Sequence, residues 1–155
     1  MPTTSSDRTT PEEPHGRATP LTPRDAFTLF TEYVLSGAFE ILDRVCADDV
    51  VVEWPFNPPG RPRRLQGRAE FRALALAGRA ALPVRFDEFR SVVLHELTDP
   101  DLLLAEYDLA GTVVSTGRSA VSSFALLLRV RDGKVTHLRE YQDVLAMADA
   151  LGPTP

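Results

Sequence analysis

Proton transfer is the chemistry open to the titratable residues of this chain, and Glu140 stands first among them. It lies in the run from Val130 to Asp143, V-R-D-G-K-V-T-H-L-R-E-Y-Q-D, where Asp132-Gly133 is a two-residue turn signal between strand-like segments. Beyond the turn, Val135, His137, Arg139 and Tyr141 alternate with Thr136, Leu138, Glu140 and Gln142. His137 and Arg139 suit water, so Leu138 and Glu140 are expected to face the core. A carboxylate placed there costs free energy unless it is paired in a structural ion pair or put to use. Glu106 and Asp108 share one side of another strand with Leu102 and Leu104. If that side also faces inward, two or three carboxylates converge on an apolar chamber, where a raised pKa suits general acid or base work. The competing reading for Glu106 and Asp108 is ion pairing with Arg118 or Arg68, or plain exposure. His95, on the strand before the turn at Asp99, is a candidate acid–base partner, with packing or surface as its alternative.

These side chains need elements to hold them. Thr22 is an N-cap candidate with Pro23 at the first helical position and Asp25 in the first turn. Phe27, Phe30, Tyr33 and Val34 follow at helical spacing, and Ser36-Gly37 ends the helix. A second helix is expected over 39–46 and a strand over 50–54, closed by Pro55. Residues 55–62, P-F-N-P-P-G-R-P, read as a rigid loop, and a third helix over 69–80 stops at Pro83. A strand over 84–97 has a mixed phase that implies a bend or bulge, and the strand over 102–114 has Gly111 as its expected bulge. The strand Ser119–Arg131 and the one bearing Glu140 form a hairpin, and a terminal helix covers Val144–Leu151. Helices followed by a meander of strands mean α+β, with helices packed on one face of a curved sheet. Trp54 and Phe56 stand at the mouth of such a pocket as aromatic walls, with Phe124, Leu104 and Leu138 as further lining residues.

Bulk properties narrow the classes. The 155 residues, 43% hydrophobic and 25% charged, suit one globular domain over 22–155. Beyond Met1, residues 1–20 hold no apolar side chain larger than Ala to offset ordering entropy, and a disordered tail is expected over 1–21. A net charge of −5 argues against nucleic-acid binding. No apolar run approaches the length of a membrane span, and no secretory signal is legible, so a cytoplasmic address is expected. Cys46 is the single cysteine and reads as a buried inert thiol. No His/Cys metal spacing, phosphate-binding glycine loop or nucleophile elbow is present, and metal is expected to play no part.

Three stretches carry a family resemblance: the region of Leu42 to Gly60, with its F-E-x-L … A-D-D-V-V-V-E-W-P-F-x-P-P-G pattern followed by Gly67-Arg68; Ala105-Glu106-Tyr107-Asp108; and Val130 to Asp143. Together with the element order they resemble the nuclear-transport-factor-2-like cone fold, in its SnoaL-like branch, over roughly residues 22–151. They are similar to the phenazine-biosynthesis A/B proteins and to uncharacterised SnoaL-like proteins, and more distantly to limonene epoxide hydrolase. The resemblance implies a cone-shaped barrel of curved mixed or antiparallel sheet with three N-terminal helices enclosing a pocket. It also implies cofactor-free proton-transfer chemistry, dimerisation through the outer sheet face, and Tyr33 aimed into the cavity from the first helix. Glu140 falls where the hydrolase has its basic aspartate and phenazine-type proteins have a glutamate. Glu106 replaces the hydrolase arginine, which disfavours epoxide opening, while the phenazine-type Glu-x-Asp spacing is kept.

The function expected from all this is a small-molecule enzyme of secondary-metabolism type, isomerase-, cyclase- or dehydratase-like. It would use Glu140, Glu106, Asp108 and His95 on a small apolar, aromatic or polycyclic ligand, without a cofactor. The alternative is a non-catalytic ligand-binding or interaction module of the same fold. A homodimer is expected because Val121, Ala125 and Leu127 would leave an apolar face on a central strand. The competing cover for that face is the terminal helix folding over it within one chain.

Overall fold

The computed structural model describes residues 19–152, so residues 1–18 of the expected disordered tail lie outside the described residues. Helix α1, Pro23–Ser36, opens with a capping box in which Thr22 and Asp25 each bond the other's backbone N–H. It ends on Gly37 in the left-handed region, φ 73°, which a residue without Cβ adopts at no steric cost. Helix α2, Glu40–Val45, is shorter than expected, because β1, Cys46–Glu53, begins four residues before the apolar run at Val50. Cys46 is buried at the start of that strand. A short strand β2, Arg64–Gln66, not legible in the sequence, pairs antiparallel with β1. Helix α3 covers Arg68–Ala81. Strands β3, Val84–Glu96, β4, Leu102–Val113, β5, Ser119–Arg131, and β6, Lys134–Gln142, form an antiparallel meander, followed by helix α4, Val144–Leu151.

The six strands form one sheet in the order β2-β1-β6-β5-β4-β3. It is a mixed sheet because β1 runs parallel to β6, with Glu53 opposite Arg139 and Val52 opposite Leu138. That pairing brings Trp54, just after β1, to the end of the sheet that holds Glu140 and Gln142. The β5–β6 turn is made by Asp132, φ 50°, and Gly133, φ 70°, the positive pair a tight hairpin requires. It sets Arg131 opposite Lys134, and a one-residue slip between Arg129 and Val130 then brings Leu126 opposite Glu140.

The fold class is α+β as expected, but the sheet does not close into a barrel: it stays open, β2 and β3 being its edges. The terminal helix forms over the expected residues and packs against β5. Curvature comes from β3, whose register against β4 slips between Phe86 and Glu88 and again between Arg90 and Val93, with Ser91 at φ 52°. The bulge expected at Gly111 is not on β4; the irregularities lie on β3, as its mixed phase implied. Gly111 sits opposite it, where an added Cβ would stand 2.7 Å from the Arg85 carbonyl oxygen and 2.7 Å from Val84 Cγ1. Backbone on one side leaves that Cβ nowhere to go. Gly111→Ala is expected to lower stability by about 1–3 kcal/mol, read from the midpoint of urea unfolding at unchanged m; an unchanged midpoint would contradict the close approach.

The concave face carries the core. Leu103, Ala105, Tyr107 and Leu109 of β4, Leu126 and Leu128 of β5 and Leu138 of β6 are buried there beneath Phe27 of α1 and Ile41 and Leu42 of α2. Phe27 meets Tyr107 at 5.8 Å between ring centroids and Phe89 at 6.4 Å. The opposite side of β4 bears Leu102, Leu104, Glu106 and Asp108, which reverses the expected phase of this strand. A shift of one residue exchanges the two faces. Leucines on both faces hid the correct choice, which turns on Tyr107 pointing inward between the two acids.

Candidate active site

Between the concave face of the sheet, α1 and α3 lies a cavity of about 310 Å³. Its wall is mostly apolar: Val52, Phe71, Leu74, Phe86, Leu126 and Leu138 contribute, and Met147 of α4 closes one side. The polar groups on it are few. Tyr33 comes from α1, Trp54 from the end of β1, Tyr107 from β4, Glu140 and Gln142 from β6, and Arg61 from the loop after β1.

Glu140 is on the inward face of β6 as its phase requires. The Tyr107 hydroxyl donates a long hydrogen bond, 3.3 Å, to its Oε2. Burial against the apolar wall pushes the Glu140 carboxyl up from 4.5 to about 7, while donation from Tyr107 and Trp54 toward the carboxylate pulls the other way. Among the described residues no basic side chain is paired with it, so a structural ion pair does not account for its position. Tyr107 is fixed by its ring, stacked on Phe124 at 5.2 Å and tilted against Phe89 at 4.8 Å. Burial holds the Tyr107 phenol well above its ordinary range and Tyr33 at about 12, with the Arg79 charge acting in the opposite sense on Tyr33. Both phenols therefore remain O–H donors at neutral pH. A carboxyl group poised near 7 beside the Tyr107 hydroxyl, with a second phenol on the same cavity wall, can take a proton from a carbon acid and return it at a neighbouring position.

The structure brings Tyr33, Trp54, Phe124, Leu138 and Glu140 to one cavity and leaves the other expected site residues outside it. Glu106 and His95 meet each other on the convex face, Nε2 to Oε2 at 2.7 Å, with side chains 57% and 44% exposed. Asp108 accepts a hydrogen bond from Ser123 Oγ at 2.7 Å on that same face, and Leu104 lies beside them. Neither acid pairs with Arg118 or Arg68; Arg68 is bound to Asp48 at 2.6 Å. Phe56 is 60% exposed and rests edge-on against Tyr141 at 5.2 Å. The chain leaves the strand at Trp54-Pro55, so strand alternation no longer governs where Phe56 points. Glu53 also faces outward, 2.8 Å from His137.

Tyr107, Gln142, Arg61, Met147 and the inner surface of α3 are cavity residues that sequence reasoning missed. For Tyr107 a signal existed: Leu103, Ala105, Tyr107 and Leu109 form a face without charge, whereas the alternate face carries two acids. Gln142 follows Glu140 in the same phase. For Arg61 and Met147, which come from a loop and from the far end of the chain, no local signal exists.

An open, strongly bent sheet wrapped around helices, with a pocket between the layers and polar groups from several strands, defines the nuclear-transport-factor-2-like class. Residues 25–138 match the SnoaL-like domain, and the chain belongs to that family. It is similar to an uncharacterised PhzA/B-like protein of Pseudomonas aeruginosa, 32% identical over 102 residues that span 66% of this chain and 70% of that one. Among solved structures, a candidate isomerase from Bacillus subtilis superposes with a TM-score of 0.75 at 22% identity, covering 85% of this chain and 94% of that chain. IdmH, a candidate polyketide cyclase from Streptomyces antibioticus, superposes with a TM-score of 0.65 at 23% identity, covering 84% and 99%. These two likenesses carry the fold. Among the described residues no helix is long and apolar enough to cross a membrane.

Proposed function

We propose that the protein is an acid–base enzyme of secondary-metabolism type, isomerase- or cyclase-like. It moves a proton on a small, ring-bearing substrate with Glu140 as the group that accepts and returns it. The observation that carries this reading is an unpaired carboxyl held at about 7 in the wall of an apolar cavity. Tyr107 and Tyr33 supply O–H donors for the charge that develops on a substrate oxygen as the proton leaves. The names of the isomerase- and cyclase-like neighbours support the type of reaction. The single cysteine, Cys46, is free and buried, which fits a cytoplasmic address.

The test uses 2-tetralone, a two-ring ketone with acidic α-protons, in deuterium oxide. The protein is expected to exchange those protons well above the buffer rate, with a rate that climbs as Glu140 ionises and levels off above about pH 7. Exchange at the buffer rate, with the ketone bound, would make the protein a binding module instead.

The convex face is the proposed contact between two copies. Val121 is 41% exposed there, Phe56 is 60% exposed, and Ala125 and Leu127 lie half-buried on the same side. Against cover by α4 stands its position: Met147 and Leu151 line a small pocket with Phe86, Leu109 and Phe124 of the concave face, a pocket that Val121 touches but Ala125 and Leu127 do not. Sedimentation at micromolar concentration is expected to give twice the 17.1 kDa chain mass, and Leu127→Arg to give the chain mass itself. A monomeric native protein, or a dimeric Leu127→Arg variant, moves the contact elsewhere.

A further inference from the structure

Among the described residues that line the cavity, only Glu140 and Arg61 carry charge. Arg61 is exposed, and its backbone is firmly placed. Pro59 and Gly60, φ 87°, take the central positions of a turn closed by the Arg61 N–H on the Pro58 carbonyl at 3.2 Å. Asn57 braces the same loop, donating from Nδ2 to the Pro62 carbonyl at 2.7 Å and accepting at its carbonyl from Arg63 Nε at 2.9 Å. The Trp54 N–H donates to the Arg63 carbonyl at 2.9 Å, which ties the loop to the end of β1. A braced turn thus places Arg61 at the cavity.

The arginines around it are mostly engaged. Arg64 faces Glu53, Arg68 binds Asp48, Arg72 binds Asp43, and Arg79 donates to the carbonyls of Val34 and Leu35. For Arg61, among the described residues, no carboxylate lies within 4.0 Å and no side-chain hydrogen bond is formed. Beside the cavity end of β6, Gln142 donates one amide proton to Met147 Sδ at 3.0 Å and keeps the other.

We propose that Arg61 anchors a carboxylate of the substrate, so that the cavity takes a ring-bearing acid with its rings inward and its carboxylate at the rim. This rests on the reading of the cavity as a substrate site. The orientation follows from the two charges. A carboxylate pushed in beside Glu140 would lose its water and face a like charge, whereas at the rim it keeps its hydration and meets a planar fork of donors. The ring body then lies against Phe71, Phe86 and Phe124, with its reacting carbon toward Glu140. A cavity of about 310 Å³ suits a body of this modest size.

Titration calorimetry of the full chain with 2-naphthoate and with 2-naphthamide, which share rings and shape, reads the anchor without turnover. The native protein is expected to bind the acid about tenfold more tightly than the amide, a preference that weakens with added salt. Arg61→Ala should abolish the preference while leaving the amide affinity unchanged, and Arg61→Lys should restore part of it. Equal binding of both probes by the native chain, a preference that survives Arg61→Ala, or binding of neither probe overturns the proposal. An inert protein that still selects the acid through Arg61 defeats the acid–base reading and leaves the anchor standing. An active protein indifferent to Arg61→Ala does the reverse.

Discussion

Replacing Glu140 by glutamine is expected to slow deuterium exchange into 2-tetralone by about 100- to 10,000-fold, the range a positioned general base contributes. Glutamine keeps the shape of the side chain and can still accept from Tyr107, so the far- and near-ultraviolet circular dichroism should be unchanged. What is lost is a group able to hold and release the proton. Tyr107→Phe gives the second half of the experiment. The Tyr107 hydroxyl stabilises the ionised carboxylate and lowers its pKa, so removing it should move the midpoint of the pH–rate profile upward from about 7. Glu106→Gln serves as the control, since Glu106 lies on the convex face against His95 and should leave the rate as it was. Full exchange by Glu140→Gln, or loss of exchange in Glu106→Gln, would show that the proton is handled elsewhere.

The same variant should be more stable than the native chain at alkaline pH and no more stable in acid. In the folded protein Glu140 keeps its proton to about 7, whereas in the unfolded chain it loses it near 4.5. Between those values the folded state binds more protons, so this group makes stability fall as pH rises through the window. Below it both states hold the proton and there is no effect; above it the whole effect, about 3 kcal/mol, is present. The difference in unfolding free energy between Glu140→Gln and the native protein is therefore expected to grow by about 2.5 kcal/mol from pH 5 to pH 8, a smaller part of the effect being already present at pH 5. Taking the difference cancels the contributions of groups that the substitution leaves untouched. The acids with lowered pKa, Asp25, Asp87 and Asp99, titrate below the window, each held down first by a hydrogen bond, from Thr22, Thr112 and the Asp101 N–H respectively. A difference that stays constant with pH would mean that Glu140 is ordinarily solvated.

Local signals located most of the elements because each is a short-range physical requirement. Thr22, Pro23 and Asp25 specify the start of α1, Gly37 its end, and Asp132-Gly133 the hairpin between β5 and β6. On β6 the alternation held from His137 onward, where only one face could tolerate His137 and Arg139; Val135, read onto that outer face, is buried because the register slips between it and His137. On β4 both faces carry leucine, and the wrong one was chosen; Glu106, Asp108 and Leu104 went outward with it, and His95 lies across from them. Phe56 escaped because a proline ended the strand before it. Strand β2 is three residues long and is held by β1 alone, so nothing in its own sequence marks it. The cavity itself could not be read, since its walls come from ten or more positions that meet only when β1 runs parallel to β6 and α3 closes over them.

The most direct measurement is the titration of the Glu140 carboxyl carbon by NMR, assigned by its disappearance in Glu140→Gln. A midpoint near 7, displaced upward in Tyr107→Phe, is the expected result. A midpoint near 4.5, the value of a carboxyl in water, would remove the raised acid on which the proposed proton transfer depends.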